Sequence, residues 1–214
     1  MPLLQHYAAK PLLFFLCLLP LLWILWNALY GDLGANPVET VTHQTGDWAL
    51  RILLLTLLWT PLKNWTGVSQ FIRFRRMTGL FVYFYASCHF LIWFLADHAL
   101  DINSMLEDVI ERPYITIGFS AFVLLTPLAV TSNRYLMRKL GRNWKTLHRL
   151  VYVIVLLAVI HYLWLVKADL LEPGLYALLA VILLLARTPM LVRAGHRLRA
   201  AYRETDQSNV SLNQ

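Results

Sequence analysis

The chain has 214 residues, of which 58% are hydrophobic and only 14% charged, with a mean hydropathy of +0.55. That length has room for one domain, and that composition excludes an ordinary water-soluble globule, so the bilayer is the expected solvent. The net charge of +7 and isoelectric point near 9.6 would suit a nucleic-acid partner, but the placement of the basic residues described below assigns them to membrane topology instead.

A helix rising ~1.5 Å per residue needs ~20 apolar residues to cross ~30 Å of hydrocarbon. Six runs approach that length: Leu12–Leu29, Trp48–Leu62, Met77–Leu95, Ile115–Val130, Leu147–Val166 and Leu175–Val192. They are continuously apolar, without the alternation of a barrel strand, so the expected fold is an all-α bundle of six transmembrane helices. Lys10 precedes the first run, whose length and lack of a small-x-small cleavage site favour a retained anchor over a cleaved signal. The second run is short. The third ends in a loop rich in acids: Asp97, Asp101, Glu107, Asp108 and Glu111. Between the fourth and fifth runs, Ser132 can cap a short interfacial helix, Gly141 can end it and Asn143 can cap the fifth span. Beyond the sixth, the membrane domain is expected to close near residue 203. Residues 204–214 read as a disordered tail, too short for a flavin or nicotinamide domain.

Sixteen of the 19 lysines and arginines fall on one side of this arrangement, including Lys63, Arg73, Arg75, Arg76, Arg149 and Arg187. The positive-inside rule makes that side, and both termini, cytoplasmic in a multi-pass membrane protein. The opposite side carries Arg51, Arg112 and Lys167 with ten of the 12 acids. Cys17 and Cys88 lie inside different spans with no CxxC pairing, which argues against disulfide exchange. No internal repeat is visible.

Ionisable side chains inside a bilayer are costly and point to function. His6, His43, His98 and His196 fall in tails or loops and read as solvated, whereas His89, His148 and His161 fall within or at the edge of the third and fifth runs. Those two helices run the same way. His89 lies 13 residues beyond Arg76, and His161 lies 13 beyond His148, ~19.5 Å of rise in each case. The two imidazoles should face each other at one depth, as a six-coordinate haem requires. The alternative is that each histidine bonds a carbonyl or hydroxyl of a neighbouring helix. His148 has Arg76 at its own level, which leaves open a second, inner haem, a propionate contact or a quinone contact. An ideal helix puts His148 and His161 ~140° apart, so both face inward only if the fifth span is central, bent or bulged. Arg75, Arg76 and Arg149 suit haem propionates or a cytoplasmic donor, because guanidinium grips carboxylate bidentately; ordinary positive-inside charge is the simpler reading of each. Tyr162 and Trp164 read as interfacial-belt residues.

The segments LGANPVETVTHQTG (Leu33–Gly46), TPL (Thr60–Leu62), RRMTGL (Arg75–Leu80), RPYITIG (Arg112–Gly118), PLAVTS (Pro127–Ser132), LGRNWKTLHRLVY (Leu140–Tyr152) and HYLW (His161–Trp164) resemble the MsrQ family, formerly YedZ. These are haem-binding membrane subunits of bacterial periplasmic methionine sulfoxide reductase systems, within the ferric-reductase-like transmembrane group. The resemblance spans roughly residues 12–190 and implies a haem core at about 46–166. It further implies b-type haem, FMN, electrons from the quinone pool or a cytoplasmic flavin reductase, and delivery to MsrP, a periplasmic molybdopterin catalytic subunit that carries the methionine sulfoxide chemistry. The larger group pairs histidines for two haems, whereas here only His89 stands on the third run. A self-contained ferric or oxygen reductase and a cofactor-free transporter are the competing readings.

Overall fold

The structure, a computed structural model, describes residues 2–31, 33–166, 170–188 and 192, and every regular element among them is helical. The helices are α1 (Pro2–Tyr30), α2 (Pro37–Thr66), α3 (Phe71–Ile92), α4 (Ile102–Glu111), α5 (Pro113–Val130), α6 (Arg134–Leu140), α7 (Arg142–Leu147), α8 (Val151–Leu165) and α9 (Leu171–Leu185). A π-helical turn, Trp93–Asp97, extends α3, and a 3₁₀ turn, His148–Leu150, joins α7 to α8.

Among the described residues, four helical stretches are long and apolar enough to cross a membrane: Ala9–Tyr30, Phe71–Asp97, Pro113–Val130 and Arg142–Leu165. The other two expected spans differ in form. α2 has the length, at 30 residues, but begins 11 residues before the expected Trp48 and so takes in Glu39 and Asp47 besides Arg51 and Lys63. Its start has local causes: Pro37 sits in the first turn and the Asn36 side chain accepts from the Glu39 N–H. Gly67, at φ 78°, ends it in the left-handed conformation that glycine adopts without a Cβ clash. α9 is apolar but only 15 residues long; Pro189–Leu191 and the tail after Val192 lie outside the described residues.

The antiparallel pairs α2–α3 and α5–α8 make the most extensive helix contacts. Between them sits the core, with Leu50, Leu53 and Leu57 of α2, Phe81, Val82 and Tyr85 of α3, Leu125 of α5, and Ile154 and Val155 of α8. α1 lies against this core by one edge and leaves Leu12, Phe15, Leu19 and Trp23 exposed, as a lipid-facing helix does. Tyr85, fully buried, fixes it. The Tyr85 hydroxyl donates to the Cys17 carbonyl at 2.8 Å and accepts from the Leu21 N–H at 3.0 Å, so it stands inside the α1 hydrogen-bond ladder beside Pro20. Pro61 opens a second ladder, since it has no N–H for the Leu57 carbonyl. Arg187, beyond α9, donates to that carbonyl at 2.6 Å and to Thr60 Oγ1 at 3.3 Å. At the opposite end, Arg51 donates to Tyr176 Oη at 2.7 Å and Glu172 at 3.2 Å, tying α2 to α9.

The loop after α5 departs from expectation at both caps. Asn133, not Ser132, caps α6 through the Leu136 N–H at 2.8 Å, while Ser132 turns back onto the Leu128 carbonyl. Gly141, at φ 50°, does end α6, but Asn143 lies inside α7.

Candidate functional site

α3 and α8 bring His89 and His161 together: their ring centres are 6.2 Å apart with planes crossing at 78°. With metal–imidazole bonds of ~2.0–2.1 Å and ~1.1 Å from nitrogen to ring centre, two imidazoles axial to one ion have centres ~6.3 Å apart. Each ring is tied through its other nitrogen. His89 Nδ1 bonds the Thr42 carbonyl of α2 at 2.8 Å, and His161 Nδ1 bonds the Tyr114 carbonyl of α5 at 2.7 Å. A carbonyl accepts only, so it fixes the Nδ1–H tautomer and leaves each Nε2 lone pair for a ligand. The carbonyl-bonded and metal-binding readings of these histidines are thus compatible. Among the described residues no group of three or more His, Cys, Asp or Glu could hold a metal ion, and a pair of imidazoles is the donor set that a porphyrin-bound iron takes from a protein.

Two glycines that sequence reasoning passed over make room for the rings. A Cβ on Gly118 would stand 2.7 Å from His161 Nδ1, and one on Gly46 would stand 3.1 Å from His89 Nδ1 and Cε1. Both closed segments already singled out, THQTG and RPYITIG, but a glycine in a helix carries no sequence mark of what it faces.

Around the pair is a cavity of about 690 Å³ that reaches from Leu53 and Leu125 to the acidic end of the bundle. Its volume is in the range of small-molecule and cofactor sites. Asp47 lines it, hydrogen-bonded by Tyr162, although the expected start of the second span had placed that carboxylate outside the membrane. Tyr162 accordingly faces the cavity rather than an interfacial belt, whereas Trp164 stays exposed. At the mouth, His98 is 7% exposed, against the expectation of a solvated loop residue. The π-helical turn after α3 folds it under Trp93, with Nδ1 bonded to Ser104 Oγ at 2.8 Å and Nε2 3.4 Å from Asp108. Asp108 also pairs with Arg112 at 3.1 Å; the Tyr114 hydroxyl and that carboxylate raise the Arg112 pKa above its ordinary value. His43 lines the cavity from an exposed position.

The other nominated residues lie elsewhere. Arg75, Arg76 and Arg149 do not line this cavity, where His43, His98 and Arg112 are the cationic or cationisable residues besides His89 and His161. Arg76 and Arg149 are exposed, and Arg75 is half-buried, close enough to His148 and Arg187 to repel both electrostatically. His148 stacks on Trp144 at 3.9 Å, with Nδ1 on the Trp144 carbonyl and Nε2 3.5 Å from Ser132 Oγ. The 3₁₀ turn at His148–Leu150 tightens the start of the helix, and three steps of ~120° instead of ~100° reduce the ~140° offset from His161 to ~80°, although His148 does not line the cavity. His6 lies in α1 with no described side chain, and His196 lies outside the described residues.

Residues 45–159 match the family model described as ferric reductase like transmembrane component. The chain is 51% identical over 177 residues to a Bordetella pertussis protein named protein-methionine-sulfoxide reductase heme-binding subunit MsrQ, covering 82% of this chain and 86% of that one. Proteins of the same name from Xanthomonas euvesicatoria and Herminiimonas arsenicoxydans are 51% and 47% identical, over 75% and 83% of this chain and 74% and 83% of their own lengths.

Proposed function

Because the chain belongs to the ferric-reductase-like transmembrane family, and within it to the MsrQ haem-binding subunits, we propose that it carries electrons across the bacterial inner membrane through b-type haem held by His89 and His161. The observation that carries this is the 6.2 Å approach of two imidazoles whose Nδ1 atoms are both committed to carbonyls. When bound, b-type haem supplies a one-electron carrier that needs no proton chemistry of its own. The chain supplies the rest. His89 and His161 would hold the group through Nε2, Thr42 and Tyr114 hold the rings in place through Nδ1, and Leu50, Leu53, Val82 and Leu125 give the cavity an apolar wall.

In this reading the bundle has six spans, α2 and α9 included, with both termini and the basic end in the cytoplasm. The donor, quinol or a cytoplasmic flavin reductase, meets Arg75, Arg76, His148 and Arg149 there. A second, inner haem would have His148 as its ligand; without one, the same residues suit a propionate or quinone. The acidic end faces the periplasm and an MsrP-like molybdopterin subunit, on which methionine sulfoxide is reduced in the repair of oxidised periplasmic proteins. FMN is carried over from the family alone, and no residue here is assigned to it.

Dithionite-reduced minus oxidised spectra test the core of the proposal. The wild-type protein should show a low-spin b-type signal that His89→Ala and His161→Ala abolish and that His6→Ala, His43→Ala and His196→Ala leave intact. A full bis-histidine spectrum in either core variant would overturn the ligand assignment. Direct reduction of ferric chelates without any periplasmic subunit would favour the self-contained reductase.

A further inference from the structure

The two halves of the cavity are related by a constant step along the chain. Thr42, Gly46 and His89 are each followed, 72 positions later, by Tyr114, Gly118 and His161 (114 from 42, 118 from 46, 161 from 89). The correspondence extends along both hairpins. Every lining residue of α2 from Thr42 to Leu53, and of α3 and its π turn from Val82 to Trp93, has a lining counterpart 72 positions on, in α5 or in α8. Five of these twelve pairs are identical, Gly46/Gly118, Ala49/Ala121, Leu53/Leu125, Ala86/Ala158 and His89/His161, but they are scattered among unlike neighbours, so no repeat was legible in the sequence. The hairpins α2–α3 and α5–α8 are therefore equivalent half-sites facing each other across the cavity.

We propose that Gly46 and Gly118 are the positioning residues of these half-sites, each forming with the carbonyl four residues earlier a cradle that sets the plane of one axial imidazole. This rests on the proposed haem reading and deepens it. A helix offers a ring a smooth groove only where a side chain is missing; glycine lets the imidazole lie against the backbone while its Nδ1–H reaches the carbonyl one turn away. The backbone on one face and the hydrogen bond at Nδ1 together fix the orientation of the ring. Two such cradles on different helices hold the planes 78° apart. The second half-site is the tighter one, with a Cβ at Gly118 meeting Nδ1, Cε1 and Cγ of His161 at 2.7, 2.8 and 3.0 Å, whereas a Cβ at Gly46 meets the same three atoms of His89 at 3.1, 3.1 and 3.7 Å. Gly79, in the middle of α3, is an internal control: a Cβ there meets only Thr56 Cγ2 at an ordinary 3.8 Å.

Electron paramagnetic resonance of the purified ferric protein reads ring planes directly. Nearly perpendicular imidazoles give a highly anisotropic low-spin signal with one dominant low-field feature, whereas coplanar ones give a rhombic three-line signal. The wild-type protein should show the first. Gly118→Ala should shift that feature or convert the site to high spin, Gly46→Ala should produce a smaller shift, and Gly79→Ala should leave the signal unchanged. His161→Gly with added imidazole separates the two levels of the argument, because a free ring is not bound to the cradle. It should regain a low-spin signal to the same extent whether Gly118 is retained or the Gly118→Ala change is added. If the wild-type protein shows no b-type signal, or His161→Gly keeps a native one, the haem reading itself fails. If both of those behave as proposed but Gly118→Ala is indistinguishable from wild type, or Gly79→Ala perturbs the signal as much, the cradles do not position the ligands and this inference is overturned.

Discussion

Neutralising the exposed acids around α4 should slow electron delivery to a soluble periplasmic acceptor, and the structure says which acids to change. α4 has three faces. Met105, Asp108 and Val109 turn towards the protein, Ile102, Leu106 and Ile110 form an exposed apolar stripe, and Asn103, Glu107 and Glu111 are exposed beside it. Asp108, with a side chain only 20% exposed, is committed to Arg112 and His98, so changing it would disturb the cavity mouth as well as the surface field. Asp97, Asp101, Glu107 and Glu111 are exposed, and their joint replacement by Asn and Gln leaves those pairs in place. One complementary charge about 10 Å from each acid contributes ~0.4 kcal/mol in water, or ~1.7 kcal/mol for four. Screening with a Debye length of ~30 Å at 0.01 M salt leaves ~1.2 kcal/mol, a ~7-fold effect, and ~8 Å at 0.15 M leaves ~0.5 kcal/mol, a ~2-fold effect. Such a field acts on encounter more than on the final complex. Stopped-flow reoxidation of the reduced protein by its acceptor, across this salt range, should therefore show a deficit in the second-order rate constant that shrinks as salt rises, with unchanged haem spectra. A rate at low salt equal to wild type would refute the steering argument and leave these acids as solvated surface beside a lipid-facing stripe.

His148→Ala should lower haem content or the rate of electron entry while sparing the low-spin signal assigned to His89 and His161, measured by redox titration and quinol-driven reduction; loss of that same signal would reduce the two levels to one. Arg187→Met should destabilise the protein by ~1.5–3 kcal/mol, the contribution of a hydrogen bond to a charged group, read as a lowered thermal midpoint in detergent. The penalty should shrink in a Pro61→Ala background, where the substituted residue regains a backbone N–H for the Leu57 carbonyl, and an equal penalty in both backgrounds would show that Arg187 acts some other way.

Much of this molecule follows from information that is local along the chain. Helix content, the four long apolar spans and the α6 stop at Gly141 depend on residues within one or two turns of each other, which composition and capping chemistry report. The facing of His89 and His161 also follows, because depth is a count of residues from the helix end and both helices run the same way. What needed the tertiary structure is the rotation of each helix about its axis. In a membrane the lipid-facing and protein-facing sides are both apolar, so hydropathy carries little of that rotation. Only the packed bundle shows that Gly46 and Gly118 face the imidazoles, that Asp47 and Tyr162 turn into the cavity, and that Tyr85 enters the α1 ladder. The burial of His98 was hidden for a related reason: it depends on a π-helical turn and on Ala99 and Leu100 at positive φ, which bring a loop residue back against α4. Neither a hydropathy profile nor a cap motif encodes a contact made by a chain that leaves its helix and returns.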